Sequence, residues 1–94
     1  MKFSWDNEKA ISNVRKHGVS FDEAKAVFHD PDARLISDPD NSEDEERFVL
    51  LGMSKRPRLL VVCHCYRESD SVIRIISARK STKHEAKMYK GFMP

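Results

Sequence analysis

The chain has 94 residues, of which 39% are hydrophobic and 34% charged, and this balance predicts one globular domain over residues 1–94. The composition excludes a disordered chain, no apolar run approaches the roughly 18 residues of a membrane span, and residues 1–6 lack the apolar stretch of a signal peptide. We therefore expect a cytoplasmic protein. The net charge of +2 averages an acidic segment, 31–47, with a basic half, 48–94, which can supply a phosphate-binding surface.

Two short helices are predicted in the first third of the chain. Residues 2–5 alternate in polarity, which favours a short strand, and Asp6 then provides a good N-cap for a helix over 7–17. Ser20 and Glu23 have the spacing of a capping box, in which each side chain binds the backbone N–H of the other, at the start of a second helix. The two helices are expected to form a helical hairpin.

Three strands joined by tight polar turns are predicted in the second half of the chain. They lie at 47–54, 59–67 and 72–78, and their spacing indicates an antiparallel meander. A further short strand is expected at 33–37, followed by an acidic turn or loop at 38–46.

A last helix is predicted from a second capping box, Thr82 to Glu85, to about Tyr89 or Lys90, with Gly91 as its stop. The order of helices, strand meander and helix predicts an α+β fold with the helices against one face of an antiparallel sheet. That arrangement leaves the other face of the sheet available for a ligand.

The last two strands and the final helix carry the residues best suited to chemistry. If residues 68–71 form the hairpin turn, Arg67 lies opposite Val72, and alternation then assigns each side chain of the two strands to one face of the sheet. A turn that is one residue longer or shorter would place residues of both strands on different faces than the turn at 68–71 does. One face then holds His64, Tyr66, Ser77 and Arg79, the other holds Cys65, Arg67 and Arg74, and Lys80, Lys83, Lys87 and Tyr89 follow in the chain.

Cleavage of RNA without a metal needs a base for the 2′-hydroxyl proton, cations for the charge on the phosphorus oxygens, and an acid for the leaving oxygen. Arginine suits the second task, because its planar group binds two phosphate oxygens at once. His64 is a candidate acid or base, and Tyr89 is a candidate for base stacking or proton transfer. No acidic cluster recurs at metal-binding spacing in the basic half, which argues against a two-metal nuclease.

A simpler interpretation stays open, since exposed Arg and Lys residues on strand edges discourage aggregation without any catalytic role. The run Cys63-His64-Cys65 fits buried cysteines better than a zinc site, because consecutive strand residues point to opposite faces. Arg79, as a charged residue at a strand end, is expected to carry little packing, so its replacement by Ala should leave the fold intact.

A set of short segments spread over nearly the whole chain is typical of one protein family. The segments are Phe3-x-Trp5-Asp6-x-x-Lys9, Asn13-x-x-Lys16-His17-Gly18-Val19-Ser20-Phe21-Asp22-Glu23-Ala24, Val27-Phe28-x-Asp30, Arg47, Gly52 and Arg74-Ile75-Ile76-Ser77-Ala78-Arg79. The chain therefore resembles the BrnT family of type II toxins. The resemblance implies a RelE-like fold and a ribonuclease that halts translation.

The resemblance also implies a partner, a BrnA-like antitoxin with a ribbon-helix-helix DNA-binding domain, through which the complex contacts DNA. It places the active surface on the sheet and the last helix, with RNA as substrate and with no metal or other cofactor. A non-catalytic module that binds RNA or the antitoxin remains the alternative. The predicted catalytic residues are His64, Arg67, Arg74, Arg79, Lys83 and Tyr89, and the predicted substrate-binding residues are Lys9, His17, Lys80 and Lys87.

Overall fold

The chain folds into an α+β arrangement of one sheet and short helices. A computed structural model describes residues 1–36 and 46–92, with side chains through Tyr89, so the predicted acidic loop lies outside the described residues except for Glu46. In chain order the elements are β1 (Lys2–Ser4), α1 (Asn7–His17), α2 (Phe21–Lys25) with a 3₁₀ turn behind it (Ala26–His29), β2 (Arg34–Ile36), β3 (Phe48–Met53), β4 (Leu59–Arg67), β5 (Val72–Lys80) and α3 (Lys83–Phe92).

The strands form one mixed sheet in the order β1-β5-β4-β3-β2. β3, β4 and β5 pair antiparallel, which confirms the predicted meander, and Arg67 lies opposite Val72 as expected. The expectation of a purely antiparallel sheet is wrong, because β1 joins the sheet parallel to β5, with Ser4 opposite Arg74. β5 also continues beyond its predicted end, to Lys80.

Helices cover both faces of the sheet, so the expectation that they pack on one face is wrong. On the first face, called here the α1 face, α1, α2 and the 3₁₀ turn pack against β4 and β5. On the second, called the α3 face, Tyr89 of α3 packs against Val49, Leu51 and Val61. The larger apolar layer, on the α1 face, consists of Val19, Phe21, Ala24, Val27, Leu60, Val62, Ile73, Ile75 and Ala78.

One extra residue in β5 interrupts the regular pairing of β4 with β5. His64 lies opposite Ile75 but Cys63 lies opposite Ser77, so Ile76 has no partner of its own on β4. An insertion of this kind is a β-bulge, and it reverses the alternation of side chains along the strand beyond it. Ser77 therefore lies on the same face as Arg74, although the two are three positions apart, a spacing that puts side chains on opposite faces of a regular strand.

The buried side chain of Asn13 in α1 holds β5 just beyond this bulge. Its amide nitrogen donates to the carbonyl oxygens of Val19, at 2.9 Å, and Ala78, at 2.7 Å. Its amide oxygen accepts from the backbone N–H of Ala78 at 3.1 Å. The pairing of β1 with β5 ends at Ser4, opposite Arg74. Beyond the end of β1, the Asn13 amide provides hydrogen-bond partners for the backbone of β5.

The two predicted capping boxes have different outcomes. Thr82 and Glu85 form a complete box, with Thr82 N donating to Glu85 Oε1 at 2.8 Å and Glu85 N donating to Thr82 Oγ1 at 3.1 Å. At α2, Ser20 Oγ accepts from Glu23 N at 3.0 Å, but the Glu23 carboxylate binds the Arg58 guanidinium, with Nε at 2.9 Å. The prediction of a capping box at α2 is therefore confirmed for Ser20 and wrong for Glu23, whose carboxylate connects α2 to the segment that precedes β4.

The last helix is longer than predicted. Gly91 lies within α3 and does not end it. A glycine costs a helix only about 1 kcal/mol relative to alanine, which packing of the preceding turn against the sheet outweighs. Within the described residues, no helix is long and apolar enough to cross a membrane.

Replacing Asn13 with Ala is expected to lower the free energy of unfolding by about 2–4 kcal/mol, because three buried backbone groups lose their partner. Asn7→Ala, on the exposed first turn of the same helix, is the matched control and should change stability by about 0.5 kcal/mol or less. Urea unfolding followed by circular dichroism measures both variants. Equal stability of the two would show that the amide contacts to β5 are dispensable.

Candidate functional site

The bulge brings Arg79 to the α3 face of the sheet, which also carries Arg67 and Arg74. Arg67 and Arg74 lie on this face before the bulge, and Arg79, opposite Val61, lies on it after the bulge. The prediction that Arg79 shares a face with His64 is therefore wrong. Regular alternation was assumed for that prediction, and Ile76 breaks the alternation between the two residues.

β1 adds two residues to this face that the sequence analysis did not select. Lys2 lies opposite Val72 and Ser4 lies opposite Arg74, so all four side chains point to the same side. Arg74 Nη1 lies 3.5 Å from Ser4 Oγ. An open groove of about 550 Å³, called here the basic groove, is lined by Lys2, Phe3, Ser4, Arg67, Glu68, Val72 and Arg74.

Arg79 connects the sheet to the last helix. Its guanidinium donates from both terminal nitrogens to the Glu85 carboxylate, at 2.8 and 2.9 Å. The Arg79 contact, opposed by burial and helped by hydrogen bonds from Thr82, lowers the pKa of Glu85 to about 2. The expectation that Arg79 contributes little to the packing of the fold is wrong, because its bidentate ion pair with Glu85 attaches the start of α3 to β5.

Tyr89 is buried beneath α3 and is 6% exposed. Its hydroxyl donates to Asp30 Oδ2 at 2.8 Å, and burial together with the Asp30 carboxylate raises the pKa of Tyr89 to about 12. Burial also raises the pKa of Asp30, but donation from Met53 N, Asp32 N and Tyr89 outweighs it and leaves that pKa lowered. The predicted role of Tyr89 in direct contact with RNA conflicts with this buried position.

His64 lies in the core on the α1 face and has no exposed surface. Its ring packs edge-on against Phe28 and Tyr66, at centroid distances of 4.8 and 5.5 Å, and its Nδ1 lies 3.2 Å from the Val62 carbonyl oxygen. Burial lowers the pKa of His64 and outweighs the opposing effect of the Val62 carbonyl oxygen, so the surroundings disfavour the charged form of the ring. The expectation that His64 meets a phosphate as acid or base is therefore wrong in this structure, because the core encloses it.

The remaining predicted residues are exposed but divided between the two sides of the sheet. Lys83 and Lys87 lie one turn apart on α3, and both are exposed. Lys9 and His17 are exposed on α1, which covers the opposite face, and Lys80 lies at the exposed end of β5, opposite Leu60. The structure therefore brings Lys83 and Lys87 to the side of the arginines and leaves Lys9 and His17 on the other side.

Metal-binding chemistry has no evident donor set in the described part of the chain. No group of three or more His, Cys, Asp or Glu side chains lies close enough there to hold an ion. Cys63 and Cys65 form no disulfide in the described part of the chain and lie on the α3 face, and His64 between them points to the opposite face.

The fold and this face together define a small α+β protein whose mixed sheet carries helices on both sides and an open basic groove beside β1. A family model described as a ribonuclease toxin, BrnT, of a type II toxin–antitoxin system matches residues 5–85. The chain belongs to this family. Members of a type II system act with an antitoxin, so the family implies an antitoxin partner for this chain and supports endoribonuclease activity in general.

A solved structure has the same fold. The crystal structure of the Brucella abortus ribonuclease toxin BrnT superposes with a TM-score of 0.67 at 21% sequence identity, covering 88% of this chain and 99% of that chain. No curated protein sequence matches the chain. At this identity the superposition establishes the shared fold, and the residue roles must be argued from the geometry.

Glu85→Gln is expected to lower the free energy of unfolding at neutral pH by about 2 kcal/mol, because it removes a charged acceptor from the Arg79 pair. The pKa of Glu85 is about 2 in the fold and 4.5 ordinarily, so its contribution is complete above pH 4.5 and is lost as pH falls towards 2. Thermal unfolding across this range should therefore show a shallower acid loss in Glu85→Gln than in the wild type. Glu8→Gln, exposed on α1, is the control, and an identical acid profile in all three proteins would contradict the assignment.

Proposed function

We propose that this chain cleaves RNA without a metal ion, by attack of the RNA's own 2′-hydroxyl, and that Arg67, Arg74 and Arg79 stabilise the phosphate during the reaction. The observation that carries the proposal is that these three arginines lie on one face of the sheet, Arg79 because of the bulge at Ile76. Three guanidinium groups on one surface provide the planar, charged donors that a developing phosphorane needs.

The three arginines differ in how they are held. Arg79 is oriented by the Glu85 carboxylate, so its position is fixed before substrate binds. Arg74 lies beside Ser4 in the basic groove, and Arg67 lines the same groove. Fixed donors cost no reorganisation in the transition state, which is why a held arginine is more effective than a mobile lysine.

Lysines extend this surface along the path of an RNA strand. Lys83 and Lys87 project from α3 on this side of the sheet, so each can bind a phosphate outside the reacting centre. Lys80, opposite Leu60 at the end of β5, lies on the α1 face and binds a phosphate only of RNA that passes around the end of the sheet. Lys9 and His17 lie on the opposite face, so they bind substrate only when the RNA strand extends around the domain. His64 and Tyr89 support the site from within the two apolar layers and do not contact RNA.

The cellular role follows from the same reaction. RNA cleavage in the cytoplasm inhibits translation, and a BrnA-like antitoxin with a ribbon-helix-helix domain neutralises the toxin by covering the basic face. The mixed sheet flanked by helices is consistent with a RelE-like fold for the toxin. The antitoxin, and not this chain, supplies the contacts to DNA.

Arg74→Ala is expected to slow RNA cleavage by about 10²–10³-fold, the loss seen when one preorganised donor is removed. Arg74→Lys should recover part of the rate, because the charge stays while the two-point geometry is lost. Cleavage by the wild type should survive EDTA and leave a 2′,3′-cyclic phosphate, or the 3′-phosphate it opens to, and a 5′-hydroxyl. Single-turnover kinetics with mapping of the product ends measures all three.

Arg15→Ala is the matched control, because Arg15 is exposed on α1 behind the opposite face. It should cleave at the wild-type rate, and circular dichroism should show that both variants are folded. Products with 5′-phosphates, loss of activity with EDTA, or full activity of Arg74→Ala would contradict the proposed mechanism. Tight RNA binding without any cleavage would favour the non-catalytic module.

Co-expression with the antitoxin encoded next to this chain is expected to yield a stable complex in which the basic face is protected. Hydrogen exchange should then be slowed in β5 and α3 relative to α1, since the antitoxin is proposed to cover the side that carries the arginines. Pull-down followed by exchange mass spectrometry tests this. Persistent free toxin beside a folded antitoxin, or protection confined to α1, would contradict it.

A further inference from the structure

A second cavity opens at the end of the sheet, next to the turn that joins β4 and β5. Its volume is about 440 Å³, and it is called here the end pocket. Arg67 lines both this pocket and the basic groove, so the two spaces are adjacent and meet at this residue. The end pocket is lined by Glu46, Phe48, Cys65, Tyr66, Arg67 and Asp70.

Aromatic rings form one wall of the end pocket. Tyr66 is 39% exposed, although it is a large aromatic residue in a central strand. Its ring meets Phe48 at a centroid distance of 5.4 Å and an angle of 65°, and Phe48 in turn lies 6.0 Å from the buried His64 ring. The wall is therefore continuous with the core and rigid, while its outer ring is open to a planar ligand.

The charges of the two spaces differ in sign. Among the described residues, the basic groove contains Lys2, Arg67 and Arg74 against one acid, Glu68. The described lining of the end pocket contains Glu46 and Asp70 against the single cation Arg67. A phosphate is therefore favoured in the groove, and a neutral group with N–H donors is favoured in the pocket, where the carboxylates accept hydrogen bonds.

The β4–β5 turn holds the pocket's rim in an unusual conformation. Glu68, Ser69 and Asp70 all have positive φ, at 51°, 54° and 71°. Ser71 fastens the turn, since both its backbone N–H and its hydroxyl donate to the Glu68 carbonyl oxygen, at 3.1 and 2.8 Å. Non-glycine residues with positive φ cost free energy and concentrate at ligand sites, so this fixed turn fits a role in positioning the Asp70 carboxylate.

We propose that the end pocket binds a base of the RNA substrate, stacked on Tyr66, while the adjoining phosphate occupies the basic groove and Arg67 contacts both parts of the nucleotide. The inference rests on the proposed ribonuclease function and adds its base specificity. The carboxylates of Glu46 and Asp70 accept from exocyclic amino groups, so adenine, cytosine or guanine is preferred to uracil.

The test measures binding separately from cleavage. The probes are fluorescent 2′-O-methyl hexamers, which lack the attacking hydroxyl: one of six uridines, and three with a single central adenine, cytosine or guanine. We expect the wild type to bind at least one of the amino-bearing probes more tightly than the all-uridine probe. Tyr66→Leu should weaken that binding by about 5- to 150-fold, the range for loss of one stacked base, while Tyr66→Phe should retain it.

Two further variants test the acids and the surface. Asp70→Asn keeps a residue that tolerates positive φ, and it should reduce the preference for the amino-bearing base more than it reduces binding of the all-uridine probe. Leu35→Ala removes an exposed apolar side chain at the far edge of the sheet and should leave all affinities unchanged. Thermal unfolding of each variant establishes that it is folded.

Each outcome has one meaning. Wild-type affinity in Tyr66→Leu, or equal affinity of the wild type for all four probes, overturns the base pocket even if unmodified RNA is cleaved. Loss of antitoxin binding in Tyr66→Leu, with unchanged RNA binding, also overturns it and assigns the surface to a protein partner. Preferential binding of the probes without cleavage of unmodified RNA supports the pocket and contradicts the proposed catalytic function.

Discussion

The β-bulge at Ile76 is the constraint on which the arrangement of the α3 face depends. Before it, Arg74 alternates with Ile73 and Ile75, which belong to the apolar layer on the α1 face. After it, Ala78 returns to that layer and Arg79 to the face of Arg74. Without the extra residue, alternation would direct Arg79 into the apolar layer beneath α1, where an unpaired guanidinium is costly.

Helix α1 stabilises β5 next to the bulge, and the position that the bulge gives Arg79 helps to attach α3 to the sheet. Asn13 binds both backbone groups of Ala78, so α1 fixes the strand at the point where its regular pairing has just been disturbed. Arg79 then pairs with Glu85, and Tyr89 one turn further along α3 reaches Asp30. These contacts attach α3 to a face of the sheet that would otherwise expose the apolar side chains of Val49, Leu51 and Val61.

The candidate catalytic residues therefore fall into two groups, buried residues that stabilise the fold and exposed residues that can reach a substrate. His64 and Tyr89 have the side chains most often used for proton transfer, yet both are buried, and each helps to hold one layer against the sheet. The exposed groups of the α3 face are mainly cationic, which suits stabilisation of a phosphate more than exchange of protons near pH 7. Membership of the BrnT family supports ribonuclease activity in general, and the structural match at 21% identity shows that the fold tolerates wide sequence change.

The sequence by itself determined the features that depend on local signals. Asp6 as N-cap and the Thr82–Glu85 capping box could be predicted, because capping depends on neighbours within four residues. The antiparallel meander and the turn at residues 68–71 could be predicted from the alternation of apolar and polar residues and from the polar segments between the strands. The resemblance of motifs such as Lys16–Phe21 was sufficient to indicate the family, which the match over residues 5–85 confirms.

Alternation along the last two strands correctly separated Arg67 and Arg74 from His64, but tertiary structure alone decided that Arg79 joins the first two and that His64 is buried. The bulge at Ile76 leaves no local signal in an apolar run, because it arises from the register of two strands. The parallel pairing of β1, which adds Lys2 and Ser4 to the groove, depends on contacts some 70 residues apart in the chain. Burial of His64 was equally hidden, since a polar residue in an alternating strand enters the core only when helices pack over its face.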